Sequence, residues 1–567
     1  MASKVSRLYG DFRGVDLRGE ECSLQRSPDA LNMWRDYRKE TGICTRPTFE
    51  GLIGMFGRVH SLSFYKGWMM IHIGAALMRA DVTDIADIRV ETLVDRKFWP
   101  VPSQAFVFDD VWYIKMEGAF YRYEWDGYVD PVEGYVPTTS VGRTPAGDGE
   151  VHEDVNILTT KRINTFVGDD KSTVYHLDTP NVTSVSEVKI NGTAQASGTY
   201  EVDTAAGTVI FSEAPEKSPD GEANVSITFS AGEDQANKIL NCGLVQVFDN
   251  RVFFSGNPDY PNMVWHSAVN DPTYVSDLDY YQDGRDEAAI RALVAGNDAL
   301  WVFREPSDEN TTVFYHRPAL DENYGKIYPA VHSSIATGCV GAGINFNDDI
   351  VFFSDRGMEG VRADITAEQA LYHRSSLVDR EMTKDAKYKD MVLVEWEGYL
   401  LVIIDTTAYL ADSRGKFTNG DHVEYEWFKW DLRHDGAEEM GNVTCAAVHN
   451  GVLYLGDENG HVWCLRGKGN ITSYWTTPKD KFKNPNRLKT TNKRGCVVEA
   501  TGDVAVYAKT EDTDYEQIAD QKGVTDYFVP RIKQKKFKDI QLKFQSDTRF
   551  SLETVTLECF IGGYIKR

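Results

Sequence analysis

Seven times this chain sets a polar two-residue turn between two runs of alternating aromatic and β-branched residues. The first copy reads Ser61-Leu-Ser-Phe-Tyr65, Lys66-Gly67, Trp68-Met-Met-Ile-His72, and the second Ala105-Phe-Val-Phe108, Asp109-Asp110, Val111-Trp-Tyr-Ile-Lys115. The same grammar returns at Asp249-Asn250, Asn297-Asp298, Asp348-Asp349, Glu397-Gly398 and Asn450-Gly451, every 43 to 53 residues apart from one long gap. Alternation with period two is a strand with one buried face, and a turn of Asn, Asp or Gly between two such strands is a hairpin. A sheet unit that recurs at this length cannot bury both faces without neighbours, so the expected architecture is an all-β propeller of about seven blades.

The gap lies between Asp109 and Asp249, 140 residues where one blade period is near 48. Five short strands with Asn-Gly, Ala-Ala-Gly and Pro-Asp-Gly turns among them fill it, among them Val185–Asn191, Gly198–Asp203 and Val225–Phe229. They predict a small β-sandwich carried on a propeller loop. The expected organisation is an extended arm over 1–57, propeller segments over 58–165 and 233–467, the inserted sandwich over 166–232, and a C-terminal β domain over 468–567. Residues 150–165 are an alternative source of strands for an eighth blade. In the arm, Ser27 and Pro28 suggest the cap and first turn of a short helix over Asp29–Arg38. Without sustained periodicity, the arm needs another surface to pack against, with Tyr9, Trp34 and Tyr37 as anchors.

The formal charge of −25 is unevenly spread. From Asn470 onward there are 18 basic against 13 acidic residues, which leaves −30 on the part before it. An acidic bulk repels nucleic acid and anionic membranes, so the basic end is expected to be a docking surface. It holds Lys479, Lys481, Lys483, Arg487, Lys489, Lys493 and Arg494 in one cluster and Lys533, Lys535, Lys536 and Lys538 in a second. A solvated strand edge is the competing reading. The eight cysteines form no Cys-x-x-Cys pair and read as small buried hydrophobes of a reducing compartment. No stretch has the length of a signal peptide core or a membrane span, so a soluble protein made in the cytoplasm is expected.

A search for catalytic chemistry returns little. Gly168-Asp-Asp-Lys171-Ser-Thr173 lacks the glycine before the lysine that a phosphate loop uses, and reads as a plain loop into a strand. His266 and His316 occupy comparable places in two blades, which suits a pair that lines the channel or holds a metal, although blade-edge hydrogen bonds are the commoner use. Asp457-Glu458-Asn459-Gly460 has calcium-type oxygens but too few spaced ligands, so a turn is expected. No Gly-x-Ser-x-Gly elbow is present. The expectation is a protein with no catalytic residue, cofactor or metal.

Three arm segments carry a resemblance: Tyr9-Gly-Asp-Phe-Arg-Gly-Val-Asp16, Arg26-Ser-Pro-Asp-Ala-Leu-Asn-Met-Trp-Arg-Asp36, and Gly42-Ile-Cys-Thr-Arg46-Pro47. Together they resemble the opening of tail hub, nozzle and packaged-DNA-stabilisation proteins of tailed bacteriophages. The insert and the C-terminal unit are similar to modules of phage structural proteins in a looser sense. The resemblance implies a propeller with an early β-sandwich, and a structural virion protein of the tail, assembled in the host cytoplasm. It implies a homo-oligomeric ring around the tail axis that forms or braces the DNA exit conduit. Its partners would be other tail, adaptor or portal-side proteins, with transient contact to genomic DNA left open. The expected contact residues are Trp34, Arg35, Tyr37 and Arg46 of the arm and the basic cluster from Lys479 to Arg494. The rival expectation is a host-attachment propeller that binds or cleaves surface polysaccharide, with Tyr280, Tyr281 and Trp396 stacking on sugar rings.

Overall fold

The computed structural model describes residues 3–564 apart from 39–41, 86, 310, 323–324, 334, 362–370, 421, 435–436 and 534–535. Seven four-stranded antiparallel sheets follow the strand-turn-strand repeat, which makes the chain an all-β protein of propeller class. In each, the repeated hairpin joins the first two strands, and both turn residues have positive φ: Lys66-Gly67, Asp109-Asp110, Asp249-Asn250, Asn297-Asp298, Asn347-Asp348, Glu397-Gly398 and Asn450-Gly451. That is the turn whose twist matches the strands on either side, and Asn, Asp and Gly accept its left-handed backbone at least cost. The fifth turn sits one residue earlier than the sequence suggested, because Asp349 already pairs with Phe346 as the first residue of Asp349–Ser354.

Contacts divide the chain into two units, 1–100 with 333–567, and 101–332. The first unit holds four of the blades. One is Val59–Tyr65, Trp68–Ile73, Ala76–Asp81 and Arg89–Val94. The others begin at Gly343–Phe346, Val392–Trp396 and Val443–His449. The blade that begins at Val443–His449 takes only three strands from its own stretch. Its fourth is Thr48–Gly54, which pairs with His461–Gly467.

The same unit contains a ten-stranded sheet built on the 24-residue strand Arg487–Thr510 and its antiparallel partner Phe550–Tyr564. Four of its strands come from the arm: Ser3–Tyr9, Ala30–Leu31, Met33–Trp34 and Ile43–Thr45. The arm is therefore folded into its own chain, against the expectation of a segment in search of another surface. The helix expected over Asp29–Arg38 does not form. Ala30–Leu31 pairs with Ser473–Thr476 instead, and Asn32 at φ 58 turns the chain into Met33–Trp34. The Ser27 hydroxyl does act as a local cap, accepting from the Asp29 amide at 3.2 Å, but it also accepts from Thr476 at 3.2 Å. Sheet pairing across the chain has outweighed a weak local signal.

The second unit holds the blades that begin at Ser103–Phe108, Leu244–Phe248 and Ile290–Gly296, together with the insert. The insert is a six-stranded sheet facing a three-stranded one, over a core of Phe166, Tyr175, Val209, Phe211, Val225, Ile227 and Phe229. It begins at Thr138–Arg143, earlier than residue 166, because that strand pairs in parallel with Lys161–Phe166. Within 150–165, Glu150–Val151 and Lys161–Phe166 are strands of the sandwich, whereas Asn156 bridges to Ser276 and Ile157 packs in a blade core, and among the described residues the stretch forms no eighth four-stranded sheet.

If the left-handed turns carry the blade hairpins, Asn250→Val places a branched side chain at φ 56. It should lower the urea midpoint by an amount equivalent to about 1–2 kcal/mol, while Lys66→Asn should leave the midpoint unchanged or raise it.

Candidate functional site

The residues that carried the resemblance converge where the arm meets the blade of Val392–Trp396, Tyr399–Ile404, Thr407–Asn419 and His422–Asp431. Asn32 is the hub. Its side-chain oxygen accepts from Arg46 Nε at 3.0 Å and from the Asp431 amide at 2.9 Å, and its nitrogen donates to the Thr472 carbonyl at 2.9 Å. Arg46 is fully buried and also donates to the carbonyls of Pro47, at 2.7 Å, and Asp431. Burial pulls its pKa down to about 9, which still leaves the guanidinium charged at neutral pH. Trp34, 2% exposed, stacks on Trp396 at 5.3 Å and meets Trp430 edge-on at 5.9 Å. Upstream, Gly14 runs so close to the blade that a Cβ there would lie 2.0 Å from the Trp427 carbonyl oxygen, at φ 126. Only glycine fits.

Of the four arm residues expected to meet a partner, Trp34 and Arg46 are thus used up inside the chain. Arg35 donates to the Phe12 carbonyl at 2.7 Å and its own carbonyl accepts from the Tyr399 hydroxyl. Tyr37 remains 38% exposed, with its hydroxyl donating to Asp412 and Arg414 stacked 3.6 Å over its ring. The sequence reading missed a further link, a two-pronged ion pair from Arg26 to the buried Glu426 at 2.7 and 2.8 Å. No local pattern marks a pair 400 residues apart.

The basic cluster is divided by the arm. Lys479 meets Glu20 at 3.4 Å and Lys481 pairs with Glu21, while Lys509 reaches Glu20 at 3.3 Å. Glu20, Glu21 and Lys479, with Asp16, Arg18 and Gly19, line an open cleft of about 460 Å³. Asp480, the one acid in the cluster, accepts from Arg7 at 2.9 Å and from the Tyr9 hydroxyl at 3.0 Å. Lys489 is buried, donating to the carbonyls of Asn484 and Lys538 at 2.6 Å each, and burial lowers its pKa. Arg487 stacks 4.5 Å over the exposed ring of Tyr564. Lys483 and Arg494 are exposed. The side chain of Lys493 and the whole of Lys535 lie outside the described residues.

The remaining candidates resolve into structural contacts. His316 donates from Nδ1 to the Tyr328 carbonyl at 2.9 Å and meets the Asp283 carboxylate through Nε2 at 2.9 Å, with the His316 and Asp283 side chains fully buried. His266 is buried beside Arg251 and the Ser267 carbonyl. Asp457 accepts from the amides of Asn459, His461 and Gly441 and from Trp463 Nε1, so its oxygens serve the turn. In the 168–173 loop, Asp169 takes the amides of Lys171 and Ser172. Among the sugar stackers of the rival reading, Trp396 is 4% exposed and donates to the Gly451 carbonyl, Tyr281 accepts from the Tyr328 amide, and Tyr280 is 47% exposed. Among the described residues no group of His, Cys, Asp and Glu is placed to hold a metal ion, and no helix is long and apolar enough to cross a membrane.

One ionic cluster gave no sequence signal. His373 lies between Glu359, 3.1 Å from Nδ1, and Asp379, 2.5 Å from Nε2, and Ser375 donates to the same Asp379 at 2.6 Å. Burial alone would lower the imidazole, but the two carboxylates outweigh it and push its pKa up to about 10.

No family model matches the chain, and no curated protein matches it. Among solved structures it is similar to BamB from Moraxella catarrhalis, at 10% identity over 74% of this chain and 97% of that one, with a TM-score of 0.35. A gluconolactonase from Xanthomonas campestris matches at 10% identity over 78% and 98%, TM-score 0.27. The computationally designed Ika8 protein matches at 13% over 74% and 99%, TM-score 0.34. These likenesses are too distant to bear on activity, and the fold assignment stands on the strand pairing above.

Because the folded pKa of His373 is raised, its contribution is complete below the unfolded value near 6.5 and is lost as pH climbs toward about 10. His373→Gln should therefore cost about 2 kcal/mol at pH 6. The gap to the parent protein in urea unfolding should close by pH 10; a gap that widens with pH would contradict the assignment.

Proposed function

We propose that this chain is a structural, non-enzymatic virion protein of a tailed phage, a hub or nozzle component that assembles as a homo-oligomeric ring and forms or braces the DNA exit conduit. The observation that carries the reading is the work done by the resemblance residues. Gly14, Ser27, Asn32 and Arg46 are the positions that seat the arm on a blade and in the C-terminal sheet. On this reading the residues that carry the resemblance belong to one folded body and not to a loose terminal segment. A bracket of this kind suits a ring, in which identical heterologous contacts close by rotation.

Charge fits the same role. Genome DNA leaving a capsid has to slide, and acidic walls repel phosphate at every register, so no position becomes a trap. The part of the chain before residue 470 carries −30.

Negative-stain class averages and sedimentation velocity of the purified protein test this reading. A closed ring with an axial opening is expected, together with no loss of viscosity when host surface polysaccharide is added. A monomer at every attainable concentration that depolymerises the polysaccharide would replace the reading with the host-attachment one.

A further inference from the structure

The two basic clusters, separated by some 40 residues in sequence, meet at Lys489. Lys489 exchanges backbone hydrogen bonds with Phe537, at 2.8 and 3.1 Å, and its buried ammonium ties the carbonyls of Asn484 and Lys538 together. Asn484 of the loop 481–486 and Phe537–Lys538 of the loop 531–538 therefore lie side by side. Part of their charge is neutralised internally, since Lys479 and Lys481 are held by Glu20 and Glu21. Lys483, Lys533 and Lys536 are exposed and make no ion pair among the described residues.

Lys483 is held outward at a backbone cost. Phe482 and Lys483 have φ 55 and 57, in a turn of two ordinary side chains where the blade hairpins mostly use Asn, Asp or Gly. Such a conformation persists only when its surroundings enforce it. Here Phe482 is 1% exposed under Arg7, and Asp480 accepts from the Phe482 amide at 2.5 Å. With the phenylalanine pinned inside, the lysine has no inward option. Beside it, Arg487 stacks on Tyr564, whose ring is 69% exposed.

We propose that the face made by Lys483, Arg487, Lys533, Lys536 and Tyr564 docks on the acidic surface of a second copy of this chain. This rests on the ring reading above and names the surface that closes the ring. Two copies at −25 each repel, so association needs a local reversal of sign, and this face supplies one while the part of the neighbour before residue 470 carries −30. An exposed tyrosine backed by arginine is the pairing that protein interfaces concentrate at their centres. A duplex-tracking surface, by contrast, needs an unbroken basic stripe, and here Glu20 and Glu21 lie against the neighbouring lysines.

The test is sedimentation velocity of the full chain over a salt series beside the triple variant Lys483→Glu, Lys533→Glu, Lys536→Glu, with near-ultraviolet circular dichroism to check the fold and a fluorescent duplex oligonucleotide titrated into both. The parent protein should self-associate, more weakly as salt rises, and the folded triple variant should associate at least about tenfold more weakly. A folded variant that associates like the parent would overturn the docking face and leave the ring reading standing. A parent that is monomeric even at low salt would overturn both. Duplex binding that the variant loses, with self-association unchanged, would assign the face to nucleic acid and overturn the proposal.

Discussion

The structure depends on long-range stitching of its first fifty residues. Thr48–Gly54 completes a blade whose other strands begin at Val443, and four of the six strands before it enter a sheet built from residues beyond 470. Bringing such segments together closes loops of some 400 residues, an entropic cost of about 5 kcal/mol for the first contact, while later contacts in the same place cost far less. The arm answers with many contacts at once: sheet pairing along Ser3–Tyr9, a tryptophan cluster around Trp34, and the Asn32 hub. Once any of these forms, the others become local. Such a body is expected to fold late and as a unit, because its pairings are non-local.

Buried polar groups fix where the stitches fall. Among the described residues no carboxylate is in hydrogen-bond contact with Arg46; its charge is met by an amide oxygen and two main-chain carbonyls. An isolated buried charge is costly, and the cost is offset only when each donor has an acceptor. That requirement holds Arg46, Asn32 and Asp431 in one register. Lys489 plays the corresponding part among the basic loops, and Asp457, fully buried with four donors, does so in the final hairpin. Apolar packing alone would tolerate a slip by one residue in a short strand such as Ile43–Thr45; these groups do not.

How much of this was legible in the sequence follows from whether the signal is local. The hairpin turns are local chemistry, and six of the seven were placed to the residue. The seventh shifted because Asn347-Asp348-Asp349 offers two acceptable turn pairs and strand register chose between them. The sandwich was recognisable from its turns, but its first strand pairs in parallel with Lys161–Phe166 and its hairpin partner, Glu150–Val151, is only two residues long, too short to show alternation, so its start was placed too late. The arm was misread for the opposite reason. Its short strands have no periodicity of their own, and the cap-like Ser27-Pro28 pair looked helical until Ser473–Thr476 supplied a pairing partner. Of the residues expected to contact a partner, Trp34 and Arg46 serve the interior, and Lys479 and Lys481 meet the arm's own Glu20 and Glu21. Side chains built for contact do not state in sequence which surface they contact.

Hydrogen exchange of the purified chain, read at the amides of Arg46, Asn32 and Cys44, tests the stitching most directly. If the arm is part of the C-terminal sheet and its adjoining blade, these amides should exchange as slowly as those of Leu552 and Val498 deep in that sheet, opening only with it. Exchange of the arm within seconds, while Leu552 and Val498 stay protected, would show that the first fifty residues are not integral to the fold.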